Sequence, residues 1–277
     1  MKKIVSIVLA AAIVVSCAAC GNKAQTASAT DESWNKVQKA GKLVLGLDNA
    51  FPPMGFIDTK TGELVGFDID VAREACKRLK IELKTQPIDW DSKTAELNNG
   101  NIDCLWNGFS KTPERDTQFN LSIPYMKNEQ IILIKADATY KSLADLTGKT
   151  IGVQADSSAE VALNSNDTFK KTLKAVVQID SYTKAVLELQ NGTIDAIAID
   201  EVVARYYLTN NPGAYKMLQD SGKNASLASE DYVVGFRKAD NALKLKIEGA
   251  LKEMAADGTL AKISKTWFVD DVTTVGK

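Results

Sequence analysis

Two stretches with nearly the same pattern decide the fold, ELNNGNID at residues 96–103 and ELQNGTID at residues 188–195. In each stretch a helical pattern stops at Asn-Gly, a pair that tolerates the left-handed conformation found at helix ends. A short apolar run follows each one, CLW at residues 104–106 and AIAI at residues 196–199. Helices that alternate with apolar strands predict parallel α/β layers, and the recurrence predicts two similar lobes.

The repeated pattern extends outward from this pair in both directions. Residues 42–48 (KLVLGLD) and 149–156 (KTIGVQAD) form a second matched pair, each a β-rich run that ends in a turn. Residues 68–80 (DIDVAREACKRLK) predict a helix with one apolar stripe and with Asp68 as its N-terminal cap. A later helix is predicted over residues 241–256, where apolar side chains recur at helical spacing.

Two isolated β-like runs, residues 129–135 (EQIILIK) and 232–237 (YVVGFR), flank the second half of the repeat. If both runs cross between the lobes, lobe one comprises residues 31–128 plus 233–277, and lobe two comprises residues 129–232. Open α/β sheets bind ligands beyond the carboxyl ends of their strands, so a cleft between the lobes is the expected site.

The composition is that of an ordinary globular protein, with 277 residues, 45% apolar and 25% charged. The sequence contains no His, which excludes Ser-His-Asp and Cys-His catalysis and any zinc site that uses His. The net charge of −1 gives no reason to expect a nucleic-acid partner. We expect no metal, no cofactor and a monomer, with Cys76 and Cys104 as small core residues.

The N-terminus has the pattern of a secretory signal, with a basic start and an apolar run too short to span a membrane. Residues 1–16 are predicted to be this signal peptide. The segment before Cys17 resembles the lipobox of bacterial lipoproteins, so Cys17 is the predicted lipidated residue, with Cys20 as the alternative and a plain signal peptide as the third reading. Residues 17–30 then form a polar tether that holds the protein outside the cytoplasm, at the membrane surface.

The segment GFDIDVAREACKRL, residues 66–79, resembles the signature of family 3 extracellular solute-binding proteins. These are the polar amino-acid receptors of ABC uptake transporters, and the resemblance covers residues 42–268. It implies a type II periplasmic-binding-protein fold: two α/β lobes, two hinge strands, one amino acid in the cleft, and a membrane permease as partner. The signature itself is scaffold, so Asp68 and Asp70 are read as a helix cap and a solvated helix face, not as paired catalytic carboxylates.

The resemblance also assigns the residues that would hold a ligand's α-carboxylate. The segment TPER, residues 112–115, resembles the one whose Arg grips this group, and a guanidinium fork suits a carboxylate. Arg115 is therefore the predicted carboxylate ligand, and a surface salt bridge is the alternative. Ser158, at the start of a predicted helix, resembles the second carboxylate contact and is also a candidate helix cap.

Other positions correspond to contacts with the ligand's ammonium group and side chain. Asp200 resembles the acid that pairs with the ammonium, with a helix cap as the alternative role. Gly108 and Ser110 resemble positions that supply a carbonyl and a hydroxyl. Asn107, next to Gly108, is a further candidate, although relatives commonly have Ser at this position. Phe51 and Trp90 resemble the two apolar walls that enclose the ligand's side chain. Asp48 matches a position where cation-binding relatives place a carboxylate.

These assignments favour a cationic side chain such as Arg, Lys or His, or another polar amino acid, cystine included. Asp48 could equally be a turn residue after a strand. We expect a receptor and not an enzyme. The alternatives are a secreted dehydratase-like enzyme on the same fold, for which Glu160 and Glu201 are the candidate acids, a ligand-sensing domain, and an adhesin.

Overall fold

The computed structural model describes residues 31–277. The predicted signal peptide, residues 1–16, the tether, residues 17–30, and the candidate lipidation sites Cys17 and Cys20 lie outside the described residues and stay predictions. Among the helices of the described part, none has both the length and the apolar composition needed to cross a bilayer.

Residues 31–277 contain sixteen strands in two large and two small sheets. In chain order the strands are β1 Lys42–Leu47, β2 Ala50–Phe51, β3 Gly55–Ile57, β4 Leu64–Val65, β5 Glu82–Pro87, β6 Cys104–Leu105, β7 Asn120–Leu121, β8 Met126–Lys135, β9 Thr150–Gln154, β10 Ala175–Ile179, β11 Ala196–Asp200, β12 Tyr215–Met217, β13 Gln219–Asp220, β14 Lys223–Asn224, β15 Ser226–Tyr232 and β16 Gly235–Phe236.

Ten α-helices and two 3-10 turns complete residues 31–277. The helices are α1 Ser33–Ala40, α2 Phe67–Arg78, α3 Lys93–Asn98, α4 Pro113–Gln118, α5 Ser158–Ser165, α6 Asp167–Lys170, α7 Tyr182–Asn191, α8 Glu201–Asn210, α9 Asn241–Ala256 and α10 Thr259–Phe268. The 3-10 turns are Trp90–Ser92 and Leu143–Leu146.

The first large sheet has the strand order β5-β1-β6-β16-β7. β1 pairs in parallel with β5 and β6, whereas β16 joins antiparallel from far along the chain. Leu43, Leu45 and Leu47 of β1 are fully buried, and each contributes about 1.5–3 kcal/mol through burial. We call the part of the molecule built on this sheet the first lobe.

The second large sheet has the order β10-β9-β11-β8-β12, with β15 also paired to β8. β9 pairs in parallel with β10 and β11, which matches the parallel core of the first sheet. The chain passes from the first sheet to the second between β7 and β8 and returns between β15 and β16. The part built on the second sheet is called the second lobe, so the predicted pair of similar lobes is observed.

The predicted single run over residues 232–237 is divided in the structure. β15 ends at Tyr232, and β16 begins only at Gly235. The backbone N–H groups between them bond outside the ladder, Val233 to the Phe109 carbonyl and Val234 to the Ser122 hydroxyl. The strand is interrupted because the N–H groups of Val233 and Val234 bond to the first lobe and not to a neighbouring strand.

The two predicted helices form, but the predicted role of Asp68 is wrong. α2 begins at Phe67 without a side-chain cap, and the carboxylate of Asp68 is completely buried. It accepts hydrogen bonds from the Gly108 N–H at 2.7 Å and the Tyr125 hydroxyl at 3.0 Å. Burial raises the pKa of Asp68 to about 7. Asp68 therefore ties α2 to the loop after β6 instead of capping the helix.

The remaining helix and cysteine predictions agree with the structure. Asp70, at the partly exposed side of α2, forms an ion pair with Arg73 at 2.7 Å. α9 covers residues 241–256 as predicted, and its apolar stripe is buried. Cys76 and Cys104 are both free and buried, as expected for small core residues, and burial raises the pKa of each thiol.

Candidate ligand-binding site

The carboxyl ends of β1 and β6 in the first lobe face those of β9 and β11 in the second. The contact is direct, because the Ser110 hydroxyl lies 3.0 Å from the Ser158 hydroxyl. The Gln154 side-chain amide likewise donates to the Asp48 carboxylate at 2.7 Å. The structure thus brings together residues from both halves of the sequence repeat, at the edge where α/β sheets bind ligands.

Arg115 is a buried side chain and not a surface ion-pair residue. Its helix, α4, starts where the Thr112 hydroxyl caps it by accepting the Arg115 N–H. The guanidinium is 4.4 Å from the Phe109 ring centroid and donates to the Ser110 carbonyl at 2.9 Å and to the Asp156 carbonyl at 3.1 Å. Burial lowers the pKa of Arg115, and the charge of Glu230 opposes this effect. A buried cation with this fork geometry fits an incoming carboxylate.

Asp200 occupies the end of β11, and its carboxylate does not cap the following helix. Instead one oxygen accepts hydrogen bonds from Asn128 at 2.7 Å, Gln130 at 2.8 Å and the Tyr232 hydroxyl at 2.7 Å. Burial, together with the charge of Glu230, raises the pKa of Asp200 to about 7. An ammonium group beside this carboxylate would favour its ionised form.

Ser158 is the first residue of α5, and the cap of that helix is its neighbour Ser157, whose hydroxyl accepts the Glu160 N–H. The hydroxyl of Ser158 is therefore free for other contacts. It lies 3.1 Å from the Glu230 carboxylate and accepts a hydrogen bond from Gln130 at 3.1 Å. The prediction that Ser158 caps α5 is therefore wrong, and its contact with a ligand stays a prediction.

Three polar residues of this cluster were missed from the sequence: Asn128, Gln130 and Glu230. All three are buried. Their signal is the period of two along a strand, because Asn128 and Gln130 alternate with exposed or half-buried residues in β8, as Glu230 and Tyr232 do in β15. Polar residues at the inward positions of a strand are candidates for a site.

Asp48 has features of both of its predicted roles. Its carboxylate accepts the Ala50 N–H at 2.8 Å, as a turn residue does, and also the Gln154 amide from the opposite lobe. Burial raises the pKa of Asp48. Asn107 accepts the Asp48 N–H at 3.0 Å, and its own amide nitrogen is buried without a partner among residues 31–277. That nitrogen lies against Gly55, where an added Cβ would stand 2.8 Å from it.

The two predicted apolar walls, Phe51 and Trp90, are both buried in the first lobe. Phe51 lies 5.6 Å, between ring centroids, from Tyr182 of the second lobe. Gly108 has φ +55, and a Cβ there would stand 2.8 Å from the Phe51 ring and 3.1 Å from Tyr232. Only glycine allows the backbone to approach both rings so closely.

Lys93, at the start of α3, is a further buried residue that sequence reasoning missed. Its ammonium donates to the Trp90 carbonyl at 3.0 Å, to the Asp156 carbonyl at 2.9 Å and to the Asp156 carboxylate. Burial and the nearby charge of Arg115 lower the pKa of Lys93 to about 8, although Asp156 opposes the shift. Nothing in the sequence marks this lysine, because its burial results from the meeting of the two lobes.

The lobes are closed on each other in this structure. Asp156, a residue in the left-handed conformation at φ +55, receives hydrogen bonds from both Lys93 and Arg115 of the first lobe. At the other side, the Thr183 hydroxyl donates to the Ala50 carbonyl at 3.2 Å. These contacts join the two lobes directly across the cleft.

The acids considered for an enzyme have structural partners in the structure. Glu160 accepts the Asp156 N–H at 2.8 Å, and Glu201 pairs with Arg205 one turn along α8. Both lie in the first turn of a helix, where a negative charge is favourable. Within residues 31–277, no cluster of three or more acidic or cysteine side chains is arranged to hold a metal ion.

Comparison with known proteins gives a consistent result. The family model of bacterial extracellular solute-binding proteins, family 3, matches residues 43–270. The chain is 32% identical to ABC transporter arginine-binding protein 1 of Escherichia coli K12, over 83% of this chain and 91% of that protein. It is 29% identical to L-cystine-binding protein TcyA of Bacillus subtilis 168, over 99% of this chain and all of that protein (100%).

A solved structure supports the same assignment. An ABC uptake transporter substrate-binding protein from Streptococcus pneumoniae with bound histidine superposes with a TM-score of 0.83 and 38% identity, covering 88% of this chain and 99% of that one. The type II periplasmic-binding-protein fold predicted from the resemblance is thus confirmed. Since the matched residues 43–270 include all but the first residue of the two large sheets and every residue of the candidate site, this chain belongs to family 3 of the bacterial extracellular solute-binding proteins.

Proposed function

We propose that the protein captures an amino acid between its lobes and delivers it to the permease of an ABC importer. The observation that carries the proposal is the pair of buried opposite charges, Arg115 of the first lobe and Asp200 of the second. A zwitterion is costly to remove from water unless each of its charges is paired. One group of each sign, facing the same cleft from opposite lobes, meets that requirement.

The carboxylate of the ligand is proposed to bind Arg115 and Ser158. The guanidinium is already oriented by its bonds to the Ser110 and Asp156 carbonyls, so little side-chain entropy is lost on binding. Ser158, at the first position of α5, adds a hydroxyl near the positive end of that helix. Arginine suits this role better than lysine because its fork matches two carboxylate oxygens.

The ammonium group is proposed to bind Asp200, the hydroxyl of Ser110 and the carbonyl of Gly108. Asn128, Gln130 and Tyr232 hold the Asp200 carboxylate in place. An ammonium has three N–H donors, and these three acceptors match that number.

The side chain of the ligand is proposed to lie toward Asp48, between Phe51 and Trp90, with Asn107 as a neighbouring polar residue. A carboxylate beside aromatic rings favours a cationic side chain such as that of Arg, Lys or His. The relatives described above are named for arginine and cystine, and one holds histidine. The proposed ligand class is therefore a cationic or other polar amino acid, with cystine included.

Capture is proposed to work by hinged closure. The two crossings would separate lobe one, residues 31–128 plus 233–277, from lobe two, residues 129–232. A ligand shifts the equilibrium toward the closed form only by its preference for that form. Because Arg115 and Asp200 lie on different lobes, only the closed form pairs both charges of the ligand.

The location is proposed from the sequence alone. Cleavage after residue 16 would make Cys17 the lipidated N-terminus, with Cys20 as the alternative, and leave a monomer anchored outside the cytoplasm beside its permease. Mass spectrometry of the mature N-terminus distinguishes the two cysteines. A mature chain that begins elsewhere and carries no lipid would contradict the anchor.

The proposed function is tested by isothermal titration calorimetry with the twenty amino acids and cystine. We expect at least one to bind with a Kd well below 1 mM, and the variant Arg115→Ala to lose that binding. If no amino acid binds below about 1 mM, equivalent to about 4 kcal/mol, the proposal is wrong. Product analysis of the bound ligand separates a receptor from an enzyme, because a receptor returns the ligand unchanged.

A further inference from the structure

Glu230 is a buried acid that the proposed binding scheme does not yet use. It lies on β15, is 9% exposed, and its contacts are with neutral donors. One carboxylate oxygen accepts from the Ser110 hydroxyl at 2.6 Å and from the Gln130 amide at 3.0 Å, and it lies 3.1 Å from the Ser158 hydroxyl. A buried acid is costly unless its charge is hydrogen-bonded and paired with a cation.

The short contact with Ser110 fixes the direction of that hydroxyl. A serine hydroxyl has one proton and two lone pairs. The distance of 2.6 Å to Glu230 is typical of O–H donation to a carboxylate, so the proton of Ser110 points to Glu230. One lone pair of Ser110 faces the Ser158 hydroxyl at 3.0 Å, and the other remains for an N–H donor in the cleft.

Glu230 and Asp200 also share two amide donors. The Gln130 amide nitrogen is 2.8 Å from Asp200 and 3.0 Å from Glu230, and the Asn128 amide nitrogen is 2.7 Å and 3.4 Å from them. The two amides are neutral, and the charges of both acids are felt by one buried cation, Arg115. Two buried acids therefore share a single guanidinium, which leaves one negative charge without a cation of its own within residues 31–277. An ammonium group supplies that cation, whereas a hydroxyl in its place does not.

We propose that Glu230 makes the site specific for an ammonium group, by orienting the Ser110 hydroxyl as an acceptor and by adding a second negative charge beside Asp200. This inference rests on the proposed function, since it assigns Glu230 to the ammonium end of the same ligand. Glu230 is a positioning residue: it acts on the ligand by orienting Ser110 and by its negative charge, and not by direct contact.

The test compares two ligands on the variant Glu230→Gln, which keeps the size of the side chain. One ligand is the amino acid that the wild type binds most tightly, and the other is its 2-hydroxy analogue, in which a hydroxyl replaces the ammonium. By calorimetry, we expect Glu230→Gln to weaken the amino acid about 10- to 100-fold, the range of a lost charged interaction, and the analogue less than about threefold. Glu230→Asp, which keeps the charge, should retain most of the preference.

The control is Asp231→Asn, the neighbouring acid, which pairs with the exposed Lys127 and should leave both affinities unchanged. Equal loss for the two ligands, no loss, or a gain for both would overturn the inference. A gain for both would instead identify Glu230 as a competitor of the ligand carboxylate for Arg115.

Two further outcomes keep the test decisive. If Glu230→Gln does not fold, Ser110→Ala replaces it, and it should weaken the amino acid more than the analogue, with equal weakening contradicting the inference. If the wild type binds no amino acid, the proposed function fails before any variant is considered. The failure of the function and the failure of this inference are therefore distinguishable.

Discussion

Replacing Arg115 by lysine keeps the positive charge and removes the fork, so it isolates the part of carboxylate binding that depends on geometry. The guanidinium uses one nitrogen for the Ser110 carbonyl at 2.9 Å and another for the Asp156 carbonyl at 3.1 Å, across the cleft. A lysine has a single nitrogen. It cannot keep both carbonyls and also meet two oxygens of a ligand carboxylate.

The expected loss follows from these bonds. One hydrogen bond between charged groups contributes about 1.5–3 kcal/mol, and the neutral acceptor across the cleft adds about 0.5–1 kcal/mol to the closed form. Together they amount to about 2–4 kcal/mol, which raises the Kd about 30- to 1,000-fold.

The assay is calorimetric titration of Arg115→Lys with the tightest amino-acid ligand. Arg73→Lys is the matched control, because Arg73 is exposed on α2 and forms a surface ion pair with Asp70 that contributes little to stability. It should change the Kd less than twofold. A Kd for Arg115→Lys within threefold of the wild type would refute the geometric argument.

Three other predictions concern the rest of the site. Asp48→Asn should weaken a cationic amino acid at least tenfold more than a neutral one, and equal effects in parallel titrations would remove Asp48 from side-chain recognition. Gly108→Ala should lower the free energy of unfolding by about 1–3 kcal/mol, since its Cβ would stand 2.8 Å from the Phe51 ring; an unchanged urea midpoint would contradict this. Because the pKa of Asp200 is raised to about 7, ligand affinity should fall about tenfold per pH unit below that value. The same shift lets the folded, ligand-free protein bind this proton more tightly than the unfolded chain, so its contribution to stability, present below about pH 4, is lost as the pH rises through 7. A flat affinity profile from pH 5 to 8 would show that Asp200 stays ionised throughout.

The sequence was sufficient for the features that depend on local pattern. The repeated Asn-Gly helix ends, the stripe of α9 and the positions after the strands all follow from short-range rules, and the structure has them. Asp68 shows where these rules stop: an acid at the start of a helix predicts a cap, but the loop at Gly108 passes close enough to take its carboxylate. No pattern within α2 encodes that approach.

The residues of the candidate site also divide into those that a local sequence pattern can reveal and those that it cannot. Residues at strand ends could be located from the sequence because the topology places them, and Glu230 could have been located from the period of two in β15, whereas Lys93 could not. Lys93 stands at the start of an ordinary short helix and is 2% exposed, with its ammonium between Trp90 of its own lobe and Asp156 of the other. Its burial is a property of two surfaces that meet, and neither surface is visible in a single stretch of chain.

The bonds from Lys93 and Arg115 to Asp156 have a consequence for the empty receptor. Both bonds join the two lobes directly, so they favour the closed form, and apparent affinity rises in proportion to the share of binding-competent molecules. Small-angle X-ray scattering of the empty protein would reveal that share as a reduced radius of gyration. The Asp156 side chain adds an ion pair with Lys93, so a substitution at this one residue should change the closed share, and with it the affinity, without touching the proposed side-chain contacts Asp48 and Phe51.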